Sequence, residues 1–302
     1  MRLLIVGATG MLGSSLCRVA SKKGYSVLGV SRGRKPRVLF PGERHFVADI
    51  SKKEEIFRIV QEERPEAIVH TAAVADVDLC ERQPALAEAV NTTSSAWIAE
   101  VACQVGALLC YVSTDYVFDG KSPTPYREED PTAPVNVYGR TKLEGEKAVQ
   151  ERHSSFYIVR TSWLFGEGHD SFVHHVLKWA EEKPQLRLVD DKWCTPTYTL
   201  DLASGILTLL EKKAPFGVYH VTNGGKGCSW RFYGQEVLAR SGFNHVKVSP
   251  MTLQELHLAA ARPAMTILDT EKCQRQGVVL RDWREALKEY LAIVSSLPRR
   301  DS

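Results

Sequence analysis

No C-x-x-C pair occurs among the seven cysteines, Cys17, Cys80, Cys103, Cys110, Cys194, Cys228 and Cys273. An odd, scattered set of thiols excludes a disulfide framework and a zinc ribbon, and reads as reduced intracellular cysteine. Cys194, without a paired base, reads as a pocket or core residue. A surplus of one charge is missing as well: 39 Lys plus Arg stand against 36 Asp plus Glu, for a net charge of +3. Without a dense basic block there is no electrostatic footprint for nucleic acid. Long apolar runs are absent too. The opening run of residues 2–6 meets Gly7 and Gly10, too short for a signal-peptide core and far too short for a membrane span. A soluble, cytoplasmic protein with neither nucleic-acid nor membrane partners is expected. His169, His174 and His175 near Asp170 lack a fixed ligand spacing and read as surface or packing residues, so no metal is expected.

What is present is a chain of 302 residues, 44% hydrophobic, enough for one large or two closely joined domains with a buried core. Short β-rich runs alternate with helical stretches: strands over 2–6, 25–31, 45–48, 67–71, 107–113 and 156–160, and helices over 11–23, 52–62, 84–105 and 137–151. Gly24 reads as the stop of the first helix. This alternation predicts an α/β fold built on a doubly wound parallel sheet, with helices on both faces. Residues 1–162 are expected to form a dinucleotide-binding Rossmann domain, and 163–302 mostly a smaller substrate-binding domain. Two strand-like patches, 186–188 and 218–221, are expected to rejoin the sheet. Residues after Leu297 read as a frayed tail.

Gly7-Ala8-Thr9-Gly10-Met11-Leu12-Gly13 follows the first strand and opens the first helix. Gly7 suits a tight turn, Gly10 a close backbone approach to a pyrophosphate, and Gly13 close packing of helix on strand. The helix N-terminus offers N–H groups and the positive end of its dipole to phosphate. The second strand ends in Ser31-Arg32-Gly33-Arg34-Lys35, with no carboxylate to hold ribose hydroxyls. Guanidinium forks suit a 2′-phosphate, so NADPH is the expected cofactor, with NADH allowed. An exposed basic loop is the competing reading. Asp49 and Ile50, after the third strand, are placed beside the adenine.

Tyr138 and Lys142 stand four residues apart, hence on one helix face. A nearby cation favours phenolate, so Lys142 is expected to acidify Tyr138 and make it a proton donor at neutral pH. A Ser113-Thr114-Asp115-Tyr116 stretch closes the fifth strand, at the edge where open α/β sheets bind ligands. A hydroxyl there suits hydrogen bonding to a substrate carbonyl.

With the segments 7–13, 70–73, 113–120, 136–146 and 160–163, continued by Pro196-Thr197, 201–203 and Arg262-Pro263, the chain resembles the extended short-chain dehydrogenase/reductase family, in its dTDP-4-dehydrorhamnose reductase branch. The resemblance implies NADPH-dependent reduction of the C4 ketone of a dTDP-4-keto-6-deoxyhexose, feeding cell-surface polysaccharide. It implies a catalytic set of Thr114, Tyr138 and Lys142, with Lys142 also holding the nicotinamide ribose. Thr71, Ala72 and Ala73 would border the cofactor, and Asn91 would support the proton relay. Asp115, Tyr116, Trp163 and Arg262 would face the dTDP-sugar, although Trp163 reads equally as a core aromatic. Ser14-Ser15 stands where many members carry a glutamate of a magnesium-linked dimer, which leaves a homodimer open. Cys194 and Thr266 depart from a frequent glycine and a frequent serine. Two other functions share the same motifs: a non-catalytic NADP-binding subunit like the regulatory β subunit of methionine adenosyltransferase, and a nucleotide-sugar epimerase.

Overall fold

The computed structural model describes residues 1–33, 40, 42–168 and 170–296. Arg34, Lys35, His169 and the tail after Leu297 lie outside the described residues. In chain order the first half runs β1 (Arg2–Val6), α1 (Met11–Lys22), β2 (Ser26–Ser31), β3 (Arg44–Val47), α2 (Lys53–Glu63), β4 (Ala67–His70), α3 (Val77–Arg82), α4 (Pro84–Ala87), α5 (Ser94–Val105), β5 (Leu108–Thr114), α6 (Val137–Arg152) and β6 (Phe156–Thr161). There follow β7 (Leu164–Phe165), α7 (Phe172–Glu182), β8 (Gln185–Val189), β9 (Trp193–Cys194), β10 (Thr197–Tyr198), α8 (Thr199–Lys212), β11 (Gly217–His220), β12 (Cys228–Ser229), α9 (Trp230–Arg240), β13 (Lys247–Met251), α10 (Glu271–Arg275) and α11 (Trp283–Ser296).

Seven strands form one sheet in the order β11-β6-β5-β4-β1-β2-β3, with every neighbouring pair parallel. Alternate side chains of β1 explain why both faces need cover. Leu3 and Ile5 pack with Leu12, Leu16, Leu202 and Ile206 of α1 and α8, whereas Leu4 and Val6 pack with Ile56, Val60, Ile98 and Val101 of α2 and α5. Strands buried on both sides read as unbroken apolar runs rather than alternating ones. A third cluster gathers Phe165, Tyr198, Tyr233, Trp283 and Tyr290 around α7, α9 and α11. Among the described residues no helix is long and apolar enough to cross a membrane.

Two expectations need correction. The patch at 218–221 does join the sheet, through β11 beside β6, but the patch at 186–188 does not. It belongs to β8, which pairs with β13 in a separate two-stranded sheet, because Leu186 and Leu188 bury against Tyr233, Val237 and Leu238 instead. The long helix expected over 84–105 is interrupted: Glu88–Thr93 widens into a π-helical turn between α4 and α5. Such turns recur at functional sites, and this one carries Asn91.

Helix α6 is fastened to the sheet by a buried ion pair. Arg160 of β6 donates from Nη2 to Glu146 Oε2 at 2.7 Å and from Nε to Oε1 at 3.0 Å, and Ser113 of β5 donates to the same carboxylate. The two charged side chains are 5% and 1% exposed, so losing one partner strands a charge in apolar surroundings. Glu146→Gln should lower the unfolding free energy by about 3–5 kcal/mol, read from denaturant midpoints. A loss below about 1 kcal/mol would show that α6 is held by packing alone.

Candidate active site

The strand order turns at β1 and β4, whose outward crossovers run to opposite sides; ligands of open parallel sheets bind beyond the carboxyl ends at such a point. The expected cofactor residues assemble along this edge. Gly7 takes φ +94° at the end of β1, and a Cβ at Gly13 would fall 2.0 Å from Gly7 O, so α1 sits as close as a hydrogen atom permits. Gly10 is the N-cap of α1, which has no side-chain cap and no acidic residue in its first turn. Thr9 and Met11 are half-buried, whereas Leu12 turns into the core. Beyond β2, Ser31 is buried with its hydroxyl 2.8 Å from His45 Nε2, and Arg32 is exposed. Asp49 accepts from the hydroxyl and backbone N–H of Ser51; these bonds, the hydroxyl first, hold its carboxyl below the usual range, with Arg32 adding to the effect. Ile50 is buried. After β4, Thr71 Oγ1 donates to Val6 O at 2.9 Å, and Ala72 and Ala73 follow half-buried.

One strand further, β5 delivers Thr114 and α6 delivers Tyr138 and Lys142. Asn136 caps α6 by accepting from Gly139 N at 2.8 Å, and donates to Ala261 O at 2.8 Å, which ties the helix start to the C-terminal part. Tyr116 N–H donates to the Thr114 hydroxyl at 3.1 Å. Tyr116 packs edge-on against Tyr138 with ring centroids 5.8 Å apart. The expected hydroxyl and phenol are therefore on one wall.

The expected acidification is not what this geometry produces. Burial pushes the Tyr138 phenol well above an ordinary tyrosine; the Thr114 hydrogen bond opposes this, while the Asp115 carboxylate adds to it. Lys142 points elsewhere: Nζ donates to Val112 O at 2.7 Å and lies 4.0 Å from the centre of the Tyr111 ring. Its own ammonium is pushed down to about 7 by burial, with Glu146 pulling the other way. Four-residue spacing puts two side chains on one face, but their tips go to different partners.

Asn91 is buried and acts as a clamp. Its Oδ1 accepts from Val74 N at 2.9 Å, and its Nδ2 donates to Val74 O and to Thr141 Oγ1 of α6. Its backbone carbonyl accepts from Ser95 and Tyr111 hydroxyls. Asp115 is 3% exposed and faces inward, accepting from Thr114, Ser162 and Thr266 hydroxyls rather than opening to a ligand. Arg262 likewise does not reach out. Its guanidinium forks onto Asp78 of α3 at 3.1 and 2.8 Å, which suits a clamp between α3 and the C-terminal loop. Trp163 stays half-buried at φ +43°, in contact with Phe172, Trp230 and Tyr233. It is thus part of an aromatic cluster, with one side left open. Cys194 is buried, as expected of a core thiol.

Sequence reading passed over Lys192, which is 1% exposed and donates to Thr266 Oγ1 at 2.6 Å. Asp190-Asp191-Lys192 looks like a solvated turn, and no periodicity distinguishes it. Among the described residues no group of three or more His, Cys, Asp or Glu could hold a metal ion; His174 instead closes a capping box with Ser171 at the start of α7.

A glycine loop under an uncapped helix, on a doubly wound sheet with a Tyr–Lys helix after β5, defines a dinucleotide-binding oxidoreductase of the extended short-chain type. Residues 1–296 match the family described as RmlD substrate binding domain, and the chain belongs to that family. Among its relatives, a dTDP-4-dehydrorhamnose reductase of Streptomyces griseus is 38% identical, with 95% of this chain and 92% of that protein covered. A spore coat polysaccharide biosynthesis protein, SpsK of Bacillus subtilis, is 35% identical over 98% of both chains. A dTDP-4-dehydrorhamnose reductase of Bacillus anthracis, solved in complex with NADP, superposes with a TM-score of 0.87 at 33% identity, covering 97% of this chain and 99% of that one.

The residues present fit such a cofactor. The α1 N-terminus keeps its N–H groups clear of side-chain caps and carboxylates, and Gly7 and Gly13 leave room where side chains would stand. Lys142 provides a charge-based check. Its ammonium is charged below about 7 and neutral above. Binding of the anionic NADPH should therefore weaken as pH rises through 7, and Lys142→Met should flatten that dependence. Fluorescence titrations across this range measure both. An affinity that strengthens with pH, or an unchanged dependence in the variant, would assign the titration to another group.

Proposed function

We propose that this chain is an NADPH-dependent reductase of a dTDP-4-keto-6-deoxyhexose, converting the C4 ketone of dTDP-4-dehydro-L-rhamnose to the alcohol of dTDP-L-rhamnose. The observation that carries this reading is the placement of Thr114 and Tyr138, bridged by Tyr116, at the carboxyl edge of β5, with Lys142 one helical turn further along α6. The names of the Streptomyces griseus and Bacillus anthracis relatives support the substrate, and that of the Bacillus subtilis relative supports a polysaccharide fate for the product.

The division of labour follows from the side chains. Residues 1–162 hold the dinucleotide and 163–302 mostly the sugar nucleotide. The α1 N-terminus would hold pyrophosphate, Ser31 and Arg32 the 2′-phosphate, and Asp49 and Ile50 would flank the adenine. Bound there, the reduced nicotinamide would supply hydride to C4. Tyr138 gives its proton to the ketone oxygen as that oxygen gains charge, and Thr114 steadies the same oxygen by a hydrogen bond. Because burial and Asp115 hold the phenol above its ordinary range, Tyr138 enters each turnover protonated. A proton donor needs that state. Lys142, one turn along α6, would hold the ribose hydroxyls of the bound cofactor once its amine turns from the Val112 carbonyl. Trp163 and Tyr116 give the sugar an apolar wall.

Purified protein mixed with NADPH and enzymatically made dTDP-4-keto-L-rhamnose should lose reduced-nicotinamide absorbance in proportion to sugar consumed. A folded protein that binds NADPH but oxidises none would instead be a cofactor-binding partner protein, and one that retains its cofactor with no net oxidation an epimerase. Tyr138→Phe should lower turnover by at least about a hundredfold while NADPH affinity stays within about twofold. Undiminished turnover would remove Tyr138 as the acid. Arg32→Asp should weaken NADPH by about tenfold, equivalent to about 1.4 kcal/mol, and move preference toward NADH. Equal NADPH KM in both forms would refute the phosphate contact.

A further inference from the structure

We propose that Lys192 is a positioning residue for the Thr114–Tyr138 pair, acting through a buried chain of hydrogen bonds by way of Thr266 and Asp115. The proposal rests on the reductase reading and assigns that site a support from the opposite half of the chain. Each link is a direct contact. Lys192 Nζ donates to Thr266 Oγ1 at 2.6 Å, and Thr266 Oγ1 donates to Asp115 Oδ2. Asp115 Oδ1 accepts from Thr114 Oγ1 at 3.1 Å, and Thr114 Oγ1 accepts from the N–H of Tyr116, whose ring packs on Tyr138. The four segments are far apart in sequence: the turn between β8 and β9, the stretch paired to β9, the turn after β5, and the start of α6.

Three observations argue that the chain serves the site as well as the fold. Lys192, Thr266 and Asp115 are each 3% exposed or less, so water does not compete for the bonds. A buried ammonium is costly where an apolar side chain of the same length would pack, and the fold by itself has no use for one. Burial pushes the Lys192 ammonium down; Cys194 and then the Asp115 carboxylate favour its charged form, and Arg262 opposes it. The Tyr116 ring, which packs on Tyr138, lies 5.1 Å from Nζ. Asp115 bears on Tyr138 in turn, together with Cys80 of α3. Moving Lys192 therefore moves the carboxylate that orients the Thr114 hydroxyl, and a misplacement of about 1 Å at a reacting group costs on the order of a hundredfold.

Lys192→Met removes the donor, and Thr266→Val removes the middle hydroxyl at nearly constant shape. Each should lower kcat by about a hundredfold, leaving sugar KM and NADPH affinity within about twofold. The double variant should be no slower than the slower single one, as expected of links in one chain. Lys192→Gln, which keeps a donor, should recover turnover to within about tenfold of the wild type. Unchanged kcat in Lys192→Met, equal losses of kcat and NADPH binding, or multiplying losses in the double variant would each overturn the proposal. Wild-type turnover is measured first, and its absence with a folded, NADPH-binding protein counts against the reductase reading alone. The chain is then decided by thermal unfolding of the same three variants: non-additive Tm shifts support it, and additive shifts overturn it.

Discussion

Asp115 is a carboxylate with almost no access to water, and what surrounds it organises the active-site wall. Buried oxygens need donors, and these receive three, from Thr114, Ser162 and Thr266. Those hydroxyls come from the end of β5, the end of β6 and the C-terminal loop. Satisfying one buried carboxyl therefore joins the parallel sheet to the smaller C-terminal part. The wall that carries Tyr138 is assembled by the same requirement, since Thr114 donates to Asp115 and accepts from Tyr116, whose ring packs on Tyr138.

Burial at this edge also sorts the titrating groups into roles. It pushes the Tyr138 phenol up and the Lys142 ammonium down, to about 7. The two shifts are opposite because desolvation disfavours whichever form is charged. In the proposed reductase, a tyrosine that keeps its proton and a lysine whose ammonium burial disfavours would divide proton donation from cofactor contact. Lys142 is bonded to the Val112 carbonyl and covered by the Tyr111 ring, with Glu146 and Arg160 anchoring the helix one turn on.

Much of the edge was legible in the residues alone. The glycine loop, the alternation of strands with helices and the helix face shared by Tyr138 and Lys142 follow from local spacing and from periodicity, whereas the grouping of Thr114 with that pair came from the family resemblance. Local pattern failed where a residue's partner lies far along the chain. Arg262 resembled a substrate contact, yet Asp78 occupies its fork across 184 positions. Asp115 resembled a sugar ligand, yet it faces Thr266 across 151 positions. The patch at 186–188 had the composition of a sheet strand and went to β13, since its apolar side chains match the aromatic cluster there.

Sequence by itself determined the α/β alternation, the glycine turn and the helical face shared by Tyr138 and Lys142, because each depends on covalent spacing and backbone sterics within a few residues. Tertiary structure decided where the tips of those side chains go, which charges are paired, and that Lys192 lies buried behind the site. Those outcomes depend on desolvation and on hydrogen bonds between separate elements, up to 184 positions apart, and no short window of residues records them.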